Sequence, residues 1–220
     1  MLDDIERWAR TEFETKNAAR EQALSQSREL TRTCANTIRA VHRRDFAQAD
    51  TLLAAARELS ERLARNLAPF PDLFYTGYVQ DAQKEYVEAT TTLALISDAP
   101  MPAPEALGVA AAPFLNGLAE AAGELRRFVL DKLRRGEIDG SEALLQKMDD
   151  IYSLLVTIDY PDALTGGLRR TTDLARGILE RTRGDLTFAL RQQELEASLA
   201  RVEQQIQATL RETGGSAPTA

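Results

Sequence analysis

Cysteine and histidine are nearly missing from this 220-residue chain, which has one of each. Cys34 alone excludes an internal disulfide and any multi-thiol zinc site, and His42 alone excludes His-rich metal chemistry. Glycine (12) and proline (8) are scarce, below the usual shares of roughly 7 % and 5 %, so the sequence predicts few loops and long elements. No run approaches the ~20 apolar residues needed to span a bilayer. The acidic, charged start MLDDIERWAR does not read as a signal peptide. Hydrophobic residues at 44 % and charged residues at 28 % exclude a disordered or collagen-like chain. These features together predict a soluble, cytoplasmic, mostly helical protein with no membrane partner, built as one domain or at most two.

What is present is charge, unevenly placed. The net charge of -7 looks wrong for a nucleic-acid binder, which needs Lys and Arg to meet phosphates. Residues 1–70 and 126–220 are close to balanced, however, while 71–125 contain a single basic residue, Lys84, against eight acids. The middle of the chain therefore tolerates or uses negative charge. Of the 27 basic residues only Lys16, Lys84, Lys132 and Lys147 are lysines. Arginine's planar fork suits phosphate, although a GC-rich genome gives the same bias.

Nearly every long window has a 3.6-residue period and none alternates like a strand. A first helix is expected over 2–42, roughly 60 Å long at ~1.5 Å per residue, with Leu30, Cys34, Ile38 and Val41 on its apolar line. A second begins at the cap Asp45 and ends near 66, before Ala68-Pro69-Phe70-Pro71. Further helices are expected over 72–96 and 113–135. Another, capped by Asp139 or Ser141, ends before Tyr160-Pro161. A last long helix, kinked at Gly166-Gly167, runs past Leu210. The stretch 97–104 is a loop. The fold expected is all-α, a bundle of six or seven long helices over 1–213, with a disordered tail over 214–220.

Two pairs of carboxylates stand out on this frame. On the helix over 72–96, Tyr78, Ala82, Ala89, Leu93 and Ile96 fall within about 60° of one another as the buried stripe. Glu85 lies at its edge and Glu88 one turn further on. A carboxylate facing a core is costly unless it is paired or bound to a metal. The plain alternative is a buried ion pair with an arginine from another helix. On the helix over 113–135 the stripe is Phe114, Leu118, Ala121, Ala122, Leu125, Phe128 and Val129, flanked by Glu120 and Glu124. Taken alone, that second pair is more often a solvated face. The small residues Gly117, Ala119, Ala121, Ala122 and Gly123 let another backbone approach closely. Two helices each offering two carboxylates a turn apart can enclose a hard divalent cation, Mg²⁺ or Mn²⁺, with oxygen ligands only. Such a cation supplies an acidic water and neutralises charge on a phosphodiester. Arg126, Arg127 and Lys84 are placed to hold the phosphate.

A basic stripe runs along the first helix. Arg28, Arg32, Arg39 and Arg43 fall within about 60° of one another, opposite the apolar line, where they could follow a strand of phosphates or form an ordinary solvated face. Tyr75 could stack on bases, as could Tyr78, although a core position suits Tyr78 better. His42 reads as a cation favoured at a helix end and Cys34 as a small core residue.

The segment Lys84-Glu85-Tyr86-Val87-Glu88-Ala89, followed by Gly117-Leu118-Ala119-Glu120-Ala121-Ala122-Gly123-Glu124-Leu125-Arg126-Arg127, resembles the translin family, and within it the translin-associated factor X branch. The resemblance implies an all-α fold that assembles into closed, hollow oligomers around single-stranded RNA or DNA, here a homo-oligomer such as a hexamer or octamer. It also implies a Mg²⁺-dependent endoribonuclease. The family's acidic residues fall on Glu85, Glu88, Glu120 and Glu124, with Glu85, Glu88 and Glu120 as the catalytic set. Glu120 stands where that branch tends to have Asp. Phe74 to Gln80 stand where translin has a basic patch, so RNA contacts must come from elsewhere, such as Arg28, Arg32 and Arg39. The rival from another class is a non-catalytic single-stranded RNA- or DNA-binding oligomer like translin; a third reading is a plain helical scaffold.

Overall fold

The computed structural model describes residues 1–214, and every regular element among them is a helix. Six are long: α1 (Leu2–His42), α2 (Phe46–Leu67), α4 (Gly77–Ile96), α6 (Ala111–Arg134), α7 (Ser141–Leu155) and α9 (Leu168–Gly214). Three are single turns: α3 (Pro71–Phe74), α5 (Pro104–Leu107) and α8 (Asp162–Thr165). None is long and apolar enough to cross a membrane. Apart from Gly214, which closes α9, the expected tail lies outside the described residues.

The helices pack as a bundle in which α1 pairs with α2 and α4, α4 with α6, and α6 with α7 and α9. Asp45 ends the α1–α2 turn as expected, its carboxylate accepting from the Gln48 backbone N–H at 3.1 Å. Such a cap contributes about 1 kcal/mol. A main core of leucines and small residues runs from Ala23 to Leu186, with Leu30, Leu63, Tyr86, Leu125, Met148 and Leu168 among its fully buried members. No described side chain before Ala23 or after Leu186 is buried. Beyond Lys16, which pairs with Asp72, and Leu190, which packs on the core, the outer ends of α1 and α9 are bare rods, with Leu2, Ile5, Trp8 and Phe13 exposed on one and Leu195, Leu199, Val202 and Ile206 on the other.

Several local expectations need correction. The helix over 72–96 is interrupted at Tyr75-Thr76, where Thr76 adopts an extended backbone ahead of α4 and its hydroxyl donates back to the Leu73 carbonyl at 2.6 Å. The loop over 97–104 leads into the α5 turn, closed by Gly108 at φ 63°. Neither Asp139 nor Ser141 caps α7: its N-cap is Gly140 in the left-handed region, and the Ser141 hydroxyl is buried without a hydrogen bond among the described residues. Gly166 and Gly167 do more than kink a helix. Both have positive φ, 62° and 82°, so they end α8 and restart the chain as α9.

The largest departure concerns α4, which carries no single buried stripe. Covered by α1 and α2 on one side and by α6 and α7 on the other, it is buried nearly all round. From Tyr86 to Leu95 every side chain is buried except Glu88, which is half-buried. A carboxylate thus sits in the most enclosed stretch of the bundle's central helix.

Candidate metal centre

Helix geometry brings the acids together. Glu85 and Glu88, three residues apart on α4, lie on neighbouring turns of one face. That face meets α6 where α6 has Gly117, one turn before Glu120. A Cβ added at Gly117 would lie 2.5 Å from the Lys84 carbonyl oxygen and 2.8 Å from the Val87 Cβ, so the two backbones touch there because a side chain is missing. The small residues expected to admit a neighbour are used at this point. As a result Glu85, Glu88 and Glu120 each offer a carboxylate oxygen, all within 4.8 Å of one another, and all three residues are half-buried.

The electrostatics of the group are unbalanced. Neither Glu85 nor Glu88 has an ion pair or a hydrogen bond among the described residues, so the arginine partner considered from the sequence is not there. Burial, followed by the fields of Glu85, Glu120 and Glu124, raises the Glu88 carboxyl to about 8. Burial also raises Glu85, against the opposing field of Lys84. Lys84 does pair with Glu120, Nζ to Oε1 at 2.8 Å. Burial works to lower the lysine's pKa, but that bond and the surrounding carboxylates outweigh it and leave it raised. The Cys34 thiol, on the α1 side, is pushed up by burial and then by Glu85 and Glu88. Three gathered carboxylates that only one cation partly offsets fit a hard divalent ion with oxygen ligands.

Two clefts reach the group. One, of about 590 Å³, is lined by Tyr75, Asp81, Lys84, Asn116 and Glu120. The other, of about 490 Å³, is lined by Glu88, Glu120, Arg170 and Thr171. Glu120 borders both.

No family model matches the chain. A protein of Methanocaldococcus jannaschii described as uncharacterized is 35 % identical over 191 residues, covering 86 % of this chain and 84 % of the relative. Among solved structures, Archaeoglobus C3PO, a complex of translin-associated factor X and translin type, matches at 35 % identity with a TM-score of 0.78, covering 83 % of this chain and 95 % of the other. A second structure of that protein, in complex with duplex RNA, matches with a TM-score of 0.76. The chain belongs to the translin family. Its resemblance is to the factor X branch. The Nematostella counterpart, at 22 % identity and a TM-score of 0.75, shares the fold.

The remaining nominated residues of this translin-family chain fall into three places. Glu124, nominated as a fourth ligand, stands outside the group of three. The His42 Nε2–H donates to its Oε2, and the Arg127 guanidinium lies 3.7 Å from the same oxygen. The bond from His42 lowers the Glu124 pKa against the effect of burial. Arg126 turns the other way, pairing with Asp185 at 2.8 Å and with the Thr182 hydroxyl at 3.1 Å. Arg28, Arg32 and Arg39 are exposed on the face of α1 opposite Cys34, and so away from the acids of their own chain. Arg39 donates to the Asn36 side chain at 2.7 Å.

Two neighbours of the site escape sequence reasoning. His42, read as a helix-end cation, is buried and reaches across 82 positions to Glu124, leaving its Nδ1 without a partner among the described residues. A histidine is therefore next to the site. Asn116 is the other. It donates to the Thr165 carbonyl at 2.8 Å and accepts from the Thr171 hydroxyl at 2.7 Å, tying the start of α9 to α6 one turn from Glu120. Its spacing from Glu120 is the one signal that points to it.

Proposed function

We propose that this protein is a metal-dependent endoribonuclease for single-stranded RNA, and for single-stranded DNA of similar shape, acting as one helical domain over 1–213. One observation carries the reading: Glu85, Glu88 and Glu120 converge from two helices, and Glu85 and Glu88 have no cation of their own among the described residues. A binder of phosphates gains nothing from gathering acids at a cleft. Glu85, Glu88 and Glu120 would hold Mg²⁺ or Mn²⁺, which when bound supplies an acidified water and offsets charge on the scissile phosphate. Lys84 fixes one oxygen of Glu120. His42 and Arg127 hold Glu124 beside the group, where it serves as an accessory carboxylate. RNA as ligand is supported by the duplex RNA complex of the Archaeoglobus relative. The exposed apolar residues on the outer ends of α1 and α9 support assembly with further copies into a closed homo-oligomer, a hexamer or octamer.

The reading of a non-catalytic binder also has an observation in its favour, since Lys84 already neutralises Glu120 in the absence of any added cation. One assay separates the two. Labelled single-stranded RNA is incubated with the protein in Mg²⁺ or in EDTA, and again with Glu85→Ala. Cleavage in Mg²⁺ alone, lost in the variant, is the expected result. Binding with no cleavage in any condition would leave the binder.

A further inference from the structure

We propose that Arg170 grips the substrate's phosphate beside the acidic centre, a role the sequence suggested for Arg126, Arg127 and Lys84. The inference rests on the nuclease reading and assigns a residue that reading did not use. Each cation nominated from the sequence near the centre is engaged: Lys84 with Glu120, Arg126 with Asp185, Arg127 with Glu124. Arg170 is not. It lines the 490 Å³ cleft together with Glu88 and Glu120, yet among the described residues it has neither an ion pair nor a hydrogen bond. Its neighbour Arg169 turns outward and pairs with Asp159 at 2.9 Å. Arg170 is exposed, shares that cleft with two carboxylates and pairs with neither, so its guanidinium is available to an anion entering there.

The position is held firmly. Leu168, 1 % exposed, plugs the start of α9 into the core, and Thr172 and Ala175 are buried below it. Thr171, the next residue after Arg170, is bonded to Asn116 of α6, and Asn116 also holds the Thr165 carbonyl across the Gly166-Gly167 break. Asn116 and Glu120 are one turn apart on α6, so the arginine's backbone is referenced to the same helix as the carboxylate. The planar fork of Arg170 can then take two non-bridging oxygens of one phosphodiester at a fixed place relative to the acids. An oligonucleotide bound this way lies along the cleft between α6 and the first turns of α9.

The test uses the full chain and labelled single-stranded RNA, with binding followed against salt concentration and cleavage followed in Mg²⁺. Arg170→Ala is expected to weaken binding about tenfold, as loss of one charge-assisted contact does. It should also flatten the slope of log affinity against log salt by about 0.7, one phosphate contact on a single strand. KM should rise more than kcat falls. Arg170→Lys keeps the slope and loses affinity. Arg169→Ala removes the same charge one residue away and leaves both quantities as they were. Arg170→Gln guards against misfolding: the result is read from whichever of the Ala and Gln variants melts like the parent. An unchanged slope in that variant, with the parent still cleaving RNA, overturns the assignment of Arg170 and leaves the nuclease reading intact. A parent chain that neither binds nor cleaves the RNA overturns both.

Discussion

Glu88→Gln is expected to make the metal-free protein more stable above pH 8 while removing RNA cleavage. Burial and three neighbouring carboxylates raise Glu88 to about 8, whereas in the unfolded chain the same group titrates near 4.5. Between those values the folded protein keeps a proton that the unfolded chain has released. Stability therefore falls as pH rises from about 4.5 to about 8 and levels off beyond. Each pH unit of that interval is worth roughly 1.4 kcal/mol, so the whole effect amounts to a few kcal/mol. Glutamine keeps the shape, carries no charge, and takes this slope away. Urea melts in EDTA at pH 5 and pH 8.5 measure it: the parent and Glu88→Gln should differ little at the lower pH, with the variant ahead at the higher. Adding Mg²⁺ at pH 8.5 should recover stability in the parent and much less in the variant. If Glu88 holds the cation as proposed, cleavage by the variant should drop by ~100-fold or more, because an oxygen ligand is replaced by a neutral amide. Parallel pH profiles for the two proteins would mean that Glu88 is not strained by its neighbours.

Gly117→Ala should damage both stability and activity, although glycine to alanine within a helix normally stabilises by ~1 kcal/mol. The new methyl would meet the Lys84 carbonyl oxygen at 2.5 Å and the Val87 Cβ at 2.8 Å. The first of these is backbone and cannot swing aside, so α4 and α6 must part. Overpacking of this kind costs about 1–3 kcal/mol, and here the parting falls between Lys84-Glu85 and Glu120. Misplacing reacting groups by about 1 Å costs ~100-fold in rate, so cleavage should suffer more than folding does. Gly123→Ala on the same helix is the control. Its methyl meets only the Ile178 Cδ1 at 3.8 Å, an ordinary contact, and the change should be neutral or stabilising. Equal melting temperatures and equal cleavage for the two variants would remove the close α4–α6 approach from the account.

Local rules carry much of this architecture. The Asp45 cap, the proline break after α2 and the i, i+3 and i, i+4 spacing of the acids all follow from backbone geometry within one or two turns. What depends on partners far along the chain is not legible. The bond from His42 to Glu124 joins positions 82 residues apart, and nothing in the residues around His42 announces it. Tyr86 and the three threonines Thr90 to Thr92 are buried because α4 is enclosed from several sides, which a one-sided helical wheel cannot express. The α7 start goes to a glycine because the preceding turn needs a left-handed residue, and that requirement outranks the capping side chains beside it. In the sequence Arg170 is one of many arginines. Only the break at Gly166-Gly167 and the Asn116 anchor give it a place.

The bare ends of α1 and α9 bring a last consequence. In a solitary chain the stretches before Lys16 and after Leu190 have few contacts outside their own helix, so they should open far more often than the rest of the bundle. A protease present in trace amounts would then trim both rods and leave the middle of the molecule whole. Copies packed against one another along their apolar residues would deny it that access. The digestion pattern at high and low protein concentration therefore reports whether the ends are sheathed by neighbours.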